Sequence, residues 1–196
     1  MIPGIVLAAG ASSRMGRPKA LLQIGQRTFV RAVLDALRDG GVTDAVVVVR
    51  PGQAGVHDEI VRAGFGRSVE NAHPERGQLS SLLAGLDAID TPGVTAALVT
   101  LVDIPLIGGS TVRALVERAR VSEAPIVRAV HRGRHGHPVV FKRAVFDALR
   151  RADPSRGAKE VVRAYEVEDV EVDDPGVGDD VDTPDDYDRV RTQQPR

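Results

Sequence analysis

The sequence predicts a three-layer α/β fold: a mostly parallel sheet with helices packed on both faces. Three observations predict it. Apolar runs without internal charge recur along the chain, in residues 2–7, 45–49 and 95–101, as expected of strands covered on both sides. Between them lie stretches with helical spacing and capping residues at their starts. The runs also empty into loops of small, polar or acidic residues, at the edge where open α/β sheets bind ligands. Strands alternating with helices in this way give a parallel sheet.

Taken in order, residues 2–7 read as a buried first strand, interrupted only by Pro3 and Gly4. A loop of small residues follows and ends at Lys19. Thr28 is an N-cap for a helix to about Asp39, with Phe29, Val33, Ala36 and Leu37 on one face and Gly40-Gly41 to stop it. The β-branched run 45–49 is the second strand, Pro51-Gly52 a turn, 56–63 a weaker helix and 67–70 a short strand. A second loop, 71–81, opens a helix over 79–88, and 95–101 is the next strand, ending in Val102-Asp103-Ile104-Pro105. A helix over 110–120 and a strand over 124–130 come next, then a turn over 132–138 and a short strand, Val139-Val140-Phe141. Helices are expected over 142–151 and 158–165. Residues 167–172 alternate apolar and acidic side chains, which suits an edge strand. Thr183-Pro184-Asp185-Asp186 opens a final helix with an N-cap, a first-turn proline and two acids at its positive end.

With 196 residues, no internal repeat and no linker, one domain over 1–196 is expected, with 191–196 as a frayed tail. Aromatic residues make up only 3% of the chain, so Val, Leu, Ile and Ala must build the core. A net charge of −1 argues against nucleic-acid or membrane partners held by bulk electrostatics. There is no cysteine, which excludes disulfides and thiolate metal sites. No apolar run approaches the ~20 residues of a membrane span. The first strand carries no basic segment before it, so no signal peptide is read and a cytoplasmic protein is expected.

The loop after the first strand carries the strongest chemistry. Gly10 and Gly16 permit backbone angles that a side chain forbids, and Ala8, Ala9, Ser12 and Ser13 let a ligand approach the main chain. Peptide N–H groups in such a loop can converge on phosphate; Arg14 adds a planar fork of donors and Lys19 a mobile point charge. The plainer alternative is a tight strand-to-helix turn with two surface cations. The loop is not a Walker A, because five residues separate Gly10 from Gly16 and Arg17-Pro18-Lys19 follows; Gly-x-Gly-x-x-Gly is absent too.

Asp103 ends a strand with no charge in the eight residues before it, and Pro105 restricts the backbone just beyond. A carboxylate there suits Mg²⁺, which takes one or two acids plus substrate phosphates; a helix cap or turn is the plainer role. Gln78 and Ser81, one helical turn apart, offer donors and acceptors to a flat base edge, or simply cap the helix. His131, His135 and His137 lack the spacing and companion ligands of a usual zinc site.

Leu7-Ala8-Ala9-Gly10-Ala11-Ser12-Ser13-Arg14-Met15-Gly16-Arg17-Pro18-Lys19 resembles the signature Leu-Ala-Ala-Gly-x-Ser-x-Arg-Met-Gly-x-x-Lys of the nucleotidyltransferases with the molybdenum-cofactor transferase fold, the MobA-like family. The pair Ala8-Ala9 resembles its cytidylyltransferase branch. Four further segments follow in order: Gly77-Gln78-Leu79-Ser80-Ser81 resembles the base-reading loop, and Asp103-Ile104-Pro105 the metal-binding Asp-x-Pro. Gly136-His137-Pro138 with Gly157-Ala158-Lys159 resembles the acceptor side of the cytidylyl branch, Lys159 standing where relatives have arginine. Asp182-Thr183-Pro184 resembles the C-terminal acid segment.

The resemblance implies a Rossmann-like sheet of the nucleotide-diphospho-sugar transferase type. It also implies Mg²⁺-dependent transfer of CMP from CTP to molybdopterin or a related phosphorylated acceptor, with release of pyrophosphate. In that reading Arg14, Lys19 and Asp103 are catalytic, Leu7 to Lys19 with Gln78 and Ser81 hold the nucleotide, and Asp103 with Asp182 hold the metal. Asp179 and Asp180 compete with Asp182 for the last role. Arg134, His135, His137 and Lys159 face the acceptor, and a molybdoenzyme or maturation factor is a candidate protein partner. Some members resembling this branch are NAD(P)H-dependent reductases of quinone-like substrates, so a reductase, or a maturation partner with little turnover, stands as the alternative.

Overall fold

The computed structural model describes residues 1–12 and 15–193. The chain runs through β1 (Gly4–Leu7), a small antiparallel ribbon of β2 (Gln23–Ile24) and β3 (Arg27–Thr28), then α1 (Phe29–Asp39), β4 (Ala45–Val49), α2 (Ala54–Ala63) and β5 (Arg67–Glu70). Helix α3 (Gln78–Ile89), β6 (Ala96–Leu101) and α4 (Gly109–Val121) follow. The last third contains β7 (Ile126–His131), β8 (Arg134–Lys142), α5 (Phe146–Arg151), α6 (Ala158–Ala164), β9 (Val167–Glu171) and α7 (Pro184–Val190).

The main sheet has seven strands in the order β5-β4-β1-β6-β8-β7-β9. β1 pairs parallel with β4 and β6, β4 with β5, and β7 with β9, while β8 alone runs antiparallel to both of its neighbours. The sheet is therefore mostly parallel, as the sequence predicts. Period-two alternation divides the core into two layers. Val47 and Val49 face a cluster with α1, α2 and α4, whereas Val46 and Val48 face another with α3, α5 and α6. All five residues of β4 are buried, which is why they read as an unbroken β-branched run.

Local chemistry sets the element ends as expected. The Thr28 hydroxyl accepts from the Arg31 amide at 3.3 Å, and Thr183 with Asp186 forms a complete capping box on α7. The expected turn over 132–138 is the main departure. Only Arg132 and Gly133 turn, with φ of 49° and 76°, and β8 begins at Arg134. Two successive positive φ values make the tight hairpin whose twist matches the strands. The helix expected from 142 is also shorter: Lys142 closes β8, Arg143–Val145 is a 3-10 turn, and α5 starts at Phe146. Of the expected tail, residues 191–193 are exposed after α7, and 194–196 lie outside the described residues.

Helix α3, whose first turn borders the site described below, lies unusually close to the sheet at Gly85. A Cβ there would meet Ile5 Cγ2 at 2.5 Å and Val48 Cγ2 at 3.0 Å. Both neighbours are fully buried on strands and cannot swing away. Gly85→Val is therefore expected to destabilise the fold toward the upper end of about 1–3 kcal/mol for overpacking. The denaturant midpoint should fall with little change in slope, and an unchanged midpoint would contradict this packing.

Candidate functional site

The carboxyl ends of β1, β4 and β6 open onto one cleft of about 640 Å³. Leu7, Ala8 and Ala9 form its buried edge, and Gly10 and Ser12 continue the wall. The positive φ values in this loop fall on Ser12 (49°) and Gly16 (66°), and Gly10 is not among the left-handed glycines, contrary to the sequence expectation. A Cβ at Gly10 would meet nothing within 4 Å, so the protein itself does not require a glycine there, and the space beside it opens onto the cleft. Ser12 holds the loop in shape: its carbonyl accepts from the Met15 amide at 3.0 Å and its hydroxyl from the Lys19 amide at 3.1 Å. Ser13 and Arg14, both assigned to the nucleotide loop from sequence, lie outside the described residues.

Lys19 is the centre of the cleft. Its Nζ lies 3.0 Å from Asp103 Oδ2 and 2.5 Å from Asp182 Oδ1, joining residues 84 and 163 positions away in sequence. Burial opposes the charge on Lys19, but the two carboxylates outweigh it and lift its pKa above the usual 10.5. Asp103 responds differently. Burial raises its pKa above 3.8, and Lys19 offsets this only in part while Asp182 adds like charge. The shifts are consistent because one ammonium is shared between two carboxylates, leaving the trio with a net charge of −1 when all three are ionised.

Asp103 Oδ1 is buried and has no hydrogen-bond partner among the described residues. A carboxylate oxygen left without a donor beside a second acid fits a hard divalent cation, which takes oxygen ligands from one or two acids plus phosphates. Of the acids competing at the C-terminal end, Asp179 pairs with Arg189 at 2.9 Å and Asp180 is exposed, whereas Asp182 reaches Lys19. The placement follows from Val181, whose amide donates to the Asp103 carbonyl at 2.8 Å and sets the next residue beside the Asp103 side chain.

Gln78 opens α3 and lines the cleft, exposed and available to a ligand. Ser81 also lines it but is buried, and its hydroxyl accepts from Asn71 Nδ2 at 3.0 Å; it does not cap the helix, whose N-cap is Gly77 without a side-chain bond. Arg50, just after β4, lines the same cleft and was missed. Its signal was positional: it is the first charge after the buried run 45–49, at the carboxyl end of a parallel strand.

A second cleft of about 520 Å³ shares Leu7 and Gln78 with the first. Val99, Val139 and Phe141 give it an apolar side, and His135, His137 and Lys159, read from sequence as the acceptor side, line it together. Arg134 lines neither cleft; it is exposed at the first position of β8, paired in register with His131, because the hairpin turns two residues earlier. Arg128, unforeseen because it falls within a strand, lines the cleft and grips Asp169 through two bonds of 2.9 and 3.1 Å. Burial lowers the His137 pKa from 6.5 to about 4, so at neutral pH its ring is uncharged and can both donate and accept. The three histidines do not form a metal cluster: His131 Nδ1 lies 2.9 Å from the Val172 carbonyl oxygen and His135 Nδ1 is 3.6 Å from Asp169.

These shifts give a stability test. A carboxyl whose pKa is raised on folding favours the folded state at low pH and loses that contribution as pH rises through the folded value. Asp103→Asn removes the penalised charge while Asp182 still pairs Lys19. The ligand-free variant should therefore melt higher than wild type at neutral pH, and the gain should shrink in the acid range where the wild-type carboxyl protonates. An equal or lower melting temperature for the variant at neutral pH would refute the assignment.

The sequence profile of the MobA-like NTP transferase domain matches residues 4–170. The nicotine blue oxidoreductase of Paenarthrobacter nicotinovorans is 34% identical, over 93% of this chain and 92% of its own. A probable molybdenum cofactor guanylyltransferase of Pelotomaculum thermopropionicum is 31% identical over 69% of this chain and 60% of its own. Among solved structures, Rv0371c of Mycobacterium tuberculosis superposes with a TM-score of 0.83 at 32% identity, covering 97% of this chain and 96% of that one. Its manganese complex superposes with a TM-score of 0.78 at 29% identity, covering 97% of each chain. A match over most of the chain, on a cleft built by the loop that the signature describes, assigns the protein: it belongs to the MobA-like NTP transferase domain family.

Proposed function

We propose that the protein is a divalent-metal-dependent nucleotidyltransferase that transfers CMP from CTP to molybdopterin or a related phosphorylated acceptor, with Mg²⁺ as the physiological ion. The observation that carries this reading is the trio Lys19, Asp103 and Asp182, with its net negative charge and its buried, unpartnered Asp103 oxygen. The Rv0371c protein, solved as a complex with manganese, supports the use of a divalent ion on this fold.

An acceptor phosphate oxygen would attack the α-phosphorus, the α–β phosphoanhydride bond would break, and its electron pair would leave with pyrophosphate. A cation held by Asp103 and Asp182 supplies charge neutralisation on the phosphate oxygens. The chain's own residues do the rest. Lys19, with a raised pKa, stays protonated as a donor to the triphosphate, and Ser12 keeps the loop around it in shape. Such chemistry needs positioning and charge stabilisation more than a protein nucleophile. Gln78, on the border of both clefts, suits the base or the reacting phosphates, and His135, His137 and Lys159 suit an anionic acceptor. The preference for cytosine rests on Ala8-Ala9; guanine is the competing base, since the Pelotomaculum relative bears the name guanylyltransferase.

A second reading has its own support. The relative matching 93% of this chain is named an oxidoreductase, so the first cleft could hold a dinucleotide that reduces a planar substrate in the second. Hydride transfer has no use for the acid pair. Calorimetric titration with CTP, GTP, ATP and NADPH, each with and without Mg²⁺, separates the two. The transferase requires one triphosphate to bind with Mg²⁺, that binding to weaken sharply in Asp103→Ala, and Lys19→Ala, which removes a donor, to reduce turnover by ~10²–10³. Tight binding of GTP in place of CTP would change the base and keep the reaction. Metal-independent binding of NADPH with the triphosphates ignored would replace the transferase with the reductase.

A further inference from the structure

Asp182 is exposed on a segment that reaches it from the far edge of the sheet, so something must fix where it stands. After β9, residues 172–182 cross the sheet as a strap. It starts with the Val172 amide donating to the Val130 carbonyl at 2.8 Å and ends with Val181 on Asp103. Between these ends the strap is held in two ways, neither of which touches the first cleft, although Gly136 also lines the second.

The first is Asp174, 4% exposed and outside both clefts. Its Oδ2 accepts from the Gly108 amide at 2.9 Å and the Thr111 hydroxyl at 2.7 Å, and its Oδ1 from the Gly176 amide at 2.9 Å. One buried carboxylate thus binds the strap's own turn, Pro175–Gly178, to the N-terminus of α4, where the helix dipole favours an anion. The second is contact too close for side chains. A Cβ on Gly136 would stand 1.8 Å from the Val177 carbonyl oxygen, and one on Gly176 would stand 2.9 Å from the Leu106 backbone. Val177 itself is buried.

We infer that Asp174 and Gly136 are positioning residues for the metal site, acting through residues 172–182 to hold Asp182 beside Asp103 and Lys19. The inference rests on the proposed metal role of Asp103 and Asp182. It gives Gly136 a role apart from the acceptor motif in which it is embedded: the strand must present bare backbone so that the strap can lie against it. The same short stretch of β8 then serves two sites: His135, Gly136 and His137 all line the second cleft, and Gly136 also lies under the strap.

Mn²⁺ binding, followed by electron paramagnetic resonance with the metal alone and with CTP, tests this without relying on turnover. Asp174→Ala and Gly136→Ala should each weaken Mn²⁺ binding by ~10–100-fold, the range for residues that orient metal ligands. Thr111→Val, which removes one donor and disturbs the fold least, should give a smaller loss in the same direction. Metal-free binding of CTP should stay within about 2-fold of wild type, and Asp174→Ala placed in an Asp182→Asn background should add almost nothing, because both act on one ligand. Unchanged Mn²⁺ affinity in the folded Gly136→Ala and Thr111→Val variants would overturn the inference. So would a further full loss in the Asp182→Asn background, or a parallel loss of metal-free CTP binding, since each marks a general structural effect. Wild-type protein that takes up no Mn²⁺ with or without CTP would overturn the metal reading itself, which a loss confined to the variants cannot imitate.

Discussion

The site depends on one ammonium group shared by two carboxylates. Lys19, Asp103 and Asp182 come from the first loop, the end of the central strand β6 and the C-terminal strap, so their meeting closes the chain on itself. The ion pairs are not a simple source of stability. Burial taxes Asp103 more than Lys19 repays, as its raised pKa records, and its Oδ1 has no donor among the described residues. Lys19 benefits because it answers two acids at once. The arrangement is electrically unfinished, and a group held in this way commonly marks a place where charge is handled.

The sheet explains why two clefts meet there. On the β1 side, parallel strands β5, β4, β1 and β6 end at one edge, where a loop and the first turn of α3 can surround a ligand. Reversal at β8 changes the edge: its start, not its end, comes to the same side, and brings His135 and His137 with it. A purely parallel sheet would place a strand's carboxyl end there instead. The single antiparallel strand therefore builds the second cleft beside the first, with Leu7 and Gln78 on the boundary. The strap must then cross β8 to reach Asp103, and Gly136 is where the two backbones touch.

How much of this was legible in the sequence depended on how local the cause was. Residues 45–49 announce a doubly buried strand because each β-branched side chain is buried where it stands. Thr28 and Thr183 announce helix starts because their partners lie three residues away. Lys19 and Asp103 were legible as site candidates from strand ends and small-residue loops. By contrast, Arg132-Gly133 lacks the Asn-Gly or Asp-Gly pattern of a tight hairpin, so the start of β8 was read as loop and Arg134 was carried onto the acceptor side. Asp174 was invisible among neighbouring acids, since its partners Gly108 and Thr111 are 66 and 63 residues away. Arg50 and Arg128 were overlooked for a related reason: on paper, an arginine beside or within a strand does not say which cleft it borders.

The balance between the two chemistries follows from the same trio. A cleft that only had to hold a dinucleotide would need the small-residue loop and donors for its phosphates, which Lys19 alone could supply. It would not need a buried acid whose ionisation the fold resists, next to a second acid held in register by an eleven-residue strap. Replacing Asp103 by its amide would relieve that cost in a single substitution, and stabilising changes of this kind at a destabilised site commonly cost function. The acid pair, its unpartnered oxygen and the buried carboxylate on the strap together fit the proposed task of holding a cation against phosphate. That weight of structure, more than the identity of the base or of the acceptor, is the physical argument for phosphoryl chemistry in this chain.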